Sequence, residues 1–425
     1  MNKVNTRASE CSNRNESHQH SKGRPIRRRK QMNRPLSDVT VVELTHIIAG
    51  PYCGLLLADL GAEVIKVEHP EHADVFRDDS RDSSSWFNYV NRNKKGITLD
   101  LKDEKGKAAF EDLIGEADVL VENFGPGAVE RLGVDYDSLL EVNPELIYCS
   151  IKGFSAGPYE DLPALDPVAE ALSGLMSTTG YPDMPPARCG TSVADMAASM
   201  QGALAVVGAV RQRDQTGEGQ HITAPMFESM VGLNGGNVAF SDAFGEPRAK
   251  YHGGGQGQWA PYGVFESKEG EWVFVGPSSE GHWVSLCEAM DVPELADEER
   301  FRTRADRREN RAALDRKLQT VFEEYPKDEI VDRLQSEGVP CAPVNDTLEV
   351  SEDPHLEAID GLGAVTAAQG DRRRMRVPKS PIRSSGFEPP EPTDPPLQGE
   401  DTDAVLEAMG YSEAEIDALR DRGAI

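Results

Sequence analysis

Between residues 39 and 152, short apolar runs alternate with helical patterns. Val39-Thr-Val-Val-Glu-Leu44 reads as a strand, Gly50–Leu60 as a helix and Gly61-Ala-Glu-Val-Ile-Lys-Val-Glu68 as a second strand, together one βαβ unit. Ile97-Thr-Leu-Asp-Leu101, a helix near 105–116, Ala117-Asp-Val-Leu-Val-Glu122 and Leu146-Ile-Tyr-Cys-Ser-Ile-Lys152 continue the alternation. Such a pattern predicts an α/β fold on an open parallel, Rossmann-like sheet with helices on both faces.

The pattern changes after a long Ala-rich helix near 195–213 and the strand Gly219–Ala224. Residues 240–262, rich in Gly, Gln and aromatics, read as a loop. Gly263-Val-Phe-Glu-Ser267 and Trp272-Val-Phe-Val-Gly276 then suggest a hairpin, followed by helices to about 338. The expected organisation is a basic disordered tail (1–35), a large Rossmann-like domain (36–230 with 350–425) and a smaller α+β domain (240–345). An amphipathic helix near 402–420 closes the chain.

Charge narrows the class. The 425 residues carry a net charge of −28, which argues against binding driven by nucleic-acid phosphates. Residues 1–35 hold 10 Lys and Arg against 2 Asp and Glu, a charge of +8 that leaves −36 for residues 36–425. Only 15 of the 45 basic residues are Lys. An acidic, Lys-poor surface stays hydrated where concentrated salt screens repulsion, so we read a halophile's cytoplasmic protein. No apolar run reads as a membrane span, and Arg27-Arg-Arg-Lys30 precedes no apolar signal region. The six Cys form no CxxC pair, so neither zinc nor a disulfide framework is indicated, and a reducing compartment is expected.

Several motifs fail on context. Gly153-Phe-Ser155-Ala-Gly157 fits the hydrolase nucleophile elbow, but Pro158 and Pro163 follow where a helix must start. Phosphate-cradling glycine motifs and a paired-His metal helix are absent, so no metal or cofactor is implied. Gly253-Gly-Gly-Gln-Gly257 reads as a linker by composition, or as a lid bringing backbone N–H groups to a reacting centre.

Asp195, in Thr191-Ser-Val-Ala-Asp195-Met, stands where a Pro- and Gly-rich loop gives way to the Ala-rich helix. The macrodipole there favours an ionised, accessible carboxylate able to attack an acyl group, although Asp at a helix start is commonly a cap.

Taken with Leu44-Thr-His-Ile-Ile-Ala-Gly-Pro-Tyr-Cys53, Leu57–Glu68, Asn91–Asp100, Val121-Glu-Asn-Phe-Gly-Pro-Gly127 and Gly338–Asn345, this block resembles the class III CoA-transferases. These are the formyl-CoA transferase and carnitine CoA-transferase family, and the resemblance spans about 36–425. It implies two interlocked subunits with the active site where they meet, and no bound cofactor. Asp195 becomes the catalytic nucleophile, with Gly253, Gly254 and Gly255 supplying a lid. The implied CoA contacts are Ile47, Ile48, Ala49, His69, Leu99, Lys102, Asn123, Phe124, Arg131 and Met226. Lys102 and Arg131 suit phosphates; Leu99 and Phe124 suit a bracket around adenine.

Departures from the family pattern refine the substrate. His69 replaces an arginine expected after the second strand, and Ile48 replaces an active-site glutamine, which argues against formate and oxalate. Racemases on this fold need a histidine where this chain has Leu165, which cannot shuttle a proton. The expected activity is transfer of CoA from succinyl-CoA to a C4–C5 dicarboxylate such as mesaconate, citramalate or malate. His46, Arg92 and Arg188 are candidate clamps for a second carboxylate. The alternatives are an α-methylacyl-CoA racemase or epimerase, and a non-catalytic acyl-CoA binding module.

Overall fold

The structure, a computed structural model, describes residues 34–250 and 259–425 apart from 79 and 371, with the side chains of 82 and 83 also left undescribed. Six strands form one parallel sheet: β1 (Thr40–Leu44), β2 (Glu63–Glu68), β3 (Lys94–Thr98), β4 (Val119–Glu122), β5 (Ile147–Lys152) and β6 (Gln220–Pro225). Their order, β3-β2-β1-β4-β5-β6, reverses direction between β1 and β4. In doubly wound sheets that reversal opens a crevice at the carboxyl ends of the two central strands, where ligands bind.

The connecting helices are α1 (Ala49–Asp59), α2 (Arg81–Val90), α3 (Glu104–Glu116), α4 (Ala128–Leu132), α5 (Tyr136–Leu140), α6 (Asp166–Leu172), α7 (Leu175–Thr178) and α8 (Val193–Thr216). After β6 come α9 (Met226–Leu233) and α10 (Gly235–Phe244).

The strands read as apolar runs because both faces are covered. Val41, Val64, Val119 and Ile147 pack with Cys53 and Leu57 of α1 and Ala198, Ala203 and Val206 of α8. Val42, Ile65, Leu120 and Tyr148 face the other way, against Phe110 and Leu113 of α3 and Leu406, Ile416 and Leu419 near the C-terminus. A third core, from Ala260 to Val339, gathers Phe265, Val273 and Trp283 around a separate sheet. That sheet holds β7 (Gly263–Glu266), β8 (Trp272–Val275) and β9 (Cys341–Pro343).

Four expectations change. The helix near 402–420 is two, Thr402–Ala408 and Glu413–Asp421, separated at Gly410 with its φ of 96°. The Pro- and charge-rich stretch before it contains an antiparallel hairpin, β10 (Leu362–Thr366) and β11 (Arg374–Pro378). Residues 240–244, read as loop, complete α10. Finally, α8 is long and apolar enough by length and composition to cross a bilayer. Its Ala and Val face is buried against α1 and the sheet.

Candidate active site

The loop from β1 into α1 is held from several sides. Asn123, just past β4, accepts from His46 N–H through Oδ1 at 3.0 Å and donates from Nδ2 to the His46 carbonyl at 2.9 Å. One side chain thus bridges the two central strands across the crevice. Phe124 stands beside it, its ring 5.6 Å from that of His46. Ile47 adopts a φ of 67°, an outlier for a β-branched residue, and Ile48 is the N-cap of α1. Burial lowers the pKa of His46, with Lys66 acting the same way and Asp74 and Glu122 opposing.

Asp195 reaches the same edge from the other direction. The crossover from β5 to β6 makes α8 run antiparallel to the strands, so its N-terminus points to their carboxyl ends. The Ser199 hydroxyl, one turn on, lies 2.5 Å from the Ala49 carbonyl and 2.6 Å from that of Asp195. This contact fixes the Asp195 turn against α1.

Asp195 is not the cap of its helix. Ser192, the N-cap, makes no side-chain cap bond. Asp166, 29 residues earlier at the start of α6, accepts instead from Ala194 N–H at 2.7 Å and Asp195 N–H at 3.3 Å through one oxygen. Its other oxygen takes Arg188 at 3.0 Å, while Arg188 Nε donates to Glu170 at 3.3 Å. Glu170 also accepts from Cys189 N–H at 2.8 Å. Two buried carboxylates and one arginine therefore strap the segment leading into Asp195.

The electrostatics correct the expectation of a readily ionised carboxylate. Burial, and then the charge of Asp166, push the Asp195 pKa up to about 7, with Arg188 opposing. The helix dipole does not win. The side chain is half-buried rather than freely accessible.

The other expected contacts cluster along one edge. His69 follows β2 with Nε2 3.5 Å from Asp100; Leu99 and the exposed Lys102 follow β3; Met226 opens α9 directly after β6. Because the strands are parallel, all of these lie at their carboxyl ends. Arg131, on α4, is exposed beside Gly127, where an added Cβ would sit 2.7 Å from its guanidinium. Leu99 differs from expectation: at 2% exposure its side chain belongs to the core and offers no face to an adenine ring. Gly253, Gly254 and Gly255 lie outside the described residues.

Of the proposed clamps, Arg92 is excluded. It is buried and paired with both oxygens of Asp59 at 2.7 and 2.8 Å. Arg188 is half-exposed but already engaged by Asp166 and Glu170. His46 alone stands in the crevice without such a partner pair. Among the described residues no group of three or more His, Cys, Asp or Glu could hold a metal ion. Ser155, in its elbow-like string, leads into a loop, and its N–H donates to Glu228.

Asp166, Glu170 and Ser199 escaped sequence reasoning. Asp166 opens α6 with a proline after it, but nothing in the spacing says that it caps a different helix.

The site is thus a half-buried carboxylate at the carboxyl edge of a doubly wound parallel sheet. The chain belongs to CoA-transferase family III, whose profile matches residues 36–402. It is 34% identical over 388 residues to succinyl-CoA:mesaconate CoA-transferase from Haloarcula hispanica, covering 88% of this chain and 96% of that one. It is also 34% identical over 415 residues to formyl-CoA:oxalate CoA-transferase from Streptomyces avermitilis, covering 93% and 100%. A crystal structure of a CAIB/BAIF family protein from Brucella suis superposes with a TM-score of 0.82 at 33% identity, covering 89% of this chain and all of that one.

Proposed function

We propose that the protein moves CoA from succinyl-CoA to a C4–C5 dicarboxylic acid, with mesaconate, citramalate and malate as first candidates, through covalent intermediates on Asp195. The observation that carries this reading is the carboxylate's placement: half-buried, backed by Asp166, on a helix turn held against the start of α1 through Ser199. Asp195 attacks the thioester carbonyl, giving a mixed anhydride and CoA thiolate. The thiolate attacks the aspartyl carbonyl, freeing the donor acid and leaving an aspartyl-CoA thioester. The acceptor carboxylate displaces the thiolate to form a second anhydride, and the thiolate then takes the acceptor's acyl group, restoring Asp195. A carboxylate of raised basicity is a stronger nucleophile, and water exclusion protects both reactive species.

In this reading Ile47, Ile48, Ala49, Asn123 and Phe124 line the thioester end of CoA. His69, Lys102, Arg131 and Met226 lie toward the nucleotide. No bound cofactor takes part. His46 is the candidate for the acceptor's far carboxylate. The working unit is a homodimer with interlocked subunits, supported by the exposed apolar side chains Met200, Leu204, Leu233 and Phe244 around α8 to α10. An acidic, Lys-poor chain similar to a Haloarcula enzyme suits the cytoplasm of a halophile.

The test is acyl-CoA exchange in concentrated KCl, with succinyl-CoA and a panel of free acids, products read by chromatography and mass. A new CoA ester formed without free CoA supports transfer and identifies the acceptor. Loss of stereochemistry in an α-methylacyl-CoA, with no exchange, would favour a racemase.

A further inference from the structure

The residues proposed to touch CoA do not explain why the β1–α1 loop holds its shape. Thr45, His46 and Ile47 make a turn whose last member has a φ of 67°. Left alone, a β-branched residue leaves that region for extended backbone. Here the Ile47 N–H is captured by both oxygens of Asp74, each at 3.2 Å. Asp74 comes from the segment after β2 and also accepts from Phe76 N–H at 3.0 Å. Lys66, inside β2, donates to Asp74 at 3.0 Å and to the Thr45 carbonyl at 2.7 Å. Both charged side chains are fully shielded from solvent. Asp74 N–H is fixed in turn by Glu68 at 3.0 Å, and Glu68 is held by Arg77. The chain therefore places a buried ion pair beneath a strained turn, with one member gripping each end of it.

We propose that Asp74, held by Lys66, is a positioning residue for acyl-CoA: it keeps Ile47 left-handed and so presets the loop that receives the thioester. The inference rests on the reading that Ile47, Ile48 and Ala49 contact CoA. A buried pair is a weak source of net stability, since desolvation offsets much of the attraction. Its geometric consequence here is specific: without the Asp74 acceptor, the Ile47 N–H has no partner in that conformation and the turn relaxes. Strain held at a ligand-binding turn by surrounding structure is a recurrent form of pre-organisation.

The experiment compares wild type, Asp74→Ala, which removes the acceptor, and Asp74→Ala combined with Ile47→Gly, reading thermal unfolding, acyl-CoA affinity by calorimetry, and KM and kcat separately. Folded Asp74→Ala should raise KM for the acyl-CoA on the order of tenfold, the scale of one strained residue, while kcat changes less than twofold. Glycine adopts positive φ without cost, so Ile47→Gly should recover at least half of that loss in the Asp74→Ala background. A merely structural aspartate would show neither the split nor the rescue. Should Asp74→Ala fail to fold, Asp74→Ala with Lys66→Met removes both buried charges, and the same KM shift is expected. An unchanged KM and calorimetric affinity in the folded variants would overturn the inference. Failure of wild type itself to bind acyl-CoA would instead overturn the CoA reading on which it rests.

Discussion

The backbone N–H of Asp195 donates to the carboxylate of Asp166 at 3.3 Å, so the helix carrying Asp195 is capped by a second acid from another helix. The two roles pull apart chemically. As an acceptor, Asp166 orients the first turn of α8; as a charge, it makes Asp195 harder to ionise.

The pH dependence follows. On the proposed mechanism Asp195 attacks only when deprotonated, so kcat/KM should rise with pH along a limb centred near 7, the value to which burial and Asp166 push its pKa. Asp166→Asn keeps an acceptor but removes the charge, and should move that limb down by roughly one pH unit. Initial rates from pH 5 to 9 check this. A limb that stays in place would assign the ionisation to another group.

Arg188 opposes that shift and straps the preceding loop to Asp166 and Glu170. Arg188→Ala should therefore raise the limb while lowering kcat, on the order of tenfold for a misoriented nucleophile. If Arg188 were the clamp for a second carboxylate, its loss would instead raise KM for the acceptor and leave the limb in place.

Asp195→Asn should melt higher than wild type at pH 8. A carboxylate whose pKa is raised on folding contributes stability that is full below its unfolded value and lost as pH rises through the folded one. Wild type thus loses this stability between about pH 4 and 7, the interval from the ordinary Asp range to the raised value. The melting-point gap, a few degrees at most, should grow from pH 5 to 8 and then level off. Calorimetry across that range reads it; a gap independent of pH contradicts the shift.

Arg92 is structural. Its bidentate pair with Asp59 is buried, so Arg92→Ala should cost about 3–5 kcal/mol by stranding a buried carboxylate. Denaturant unfolding measures this, and a stable variant with altered acceptor preference would refute it.

The legible and hidden parts of this chain differ in range. The β1 to β5 alternation was visible because strands covered on both faces must be apolar runs, and Asp195 because a helix start is a local pattern. Asp166 reads as an ordinary acid beside Leu165, since capping a helix whose Ala194 lies 28 residues on leaves no local trace. Lys66 and Asp74 read as ordinary charges of a strand and a loop; their meaning depends on Ile47, whose left-handed turn no β-branched side chain announces. Leu99 misled in the opposite direction, because a position after a strand does not say which way the side chain faces.

The most direct test of the account is to incubate the protein with succinyl-CoA alone, quench it, and map the covalently modified peptide by mass spectrometry. The account predicts a CoA-bearing adduct on the peptide containing Asp195, gone in Asp195→Asn along with transfer. Full transfer by Asp195→Asn, or wild-type transfer with the adduct on another residue, would contradict it.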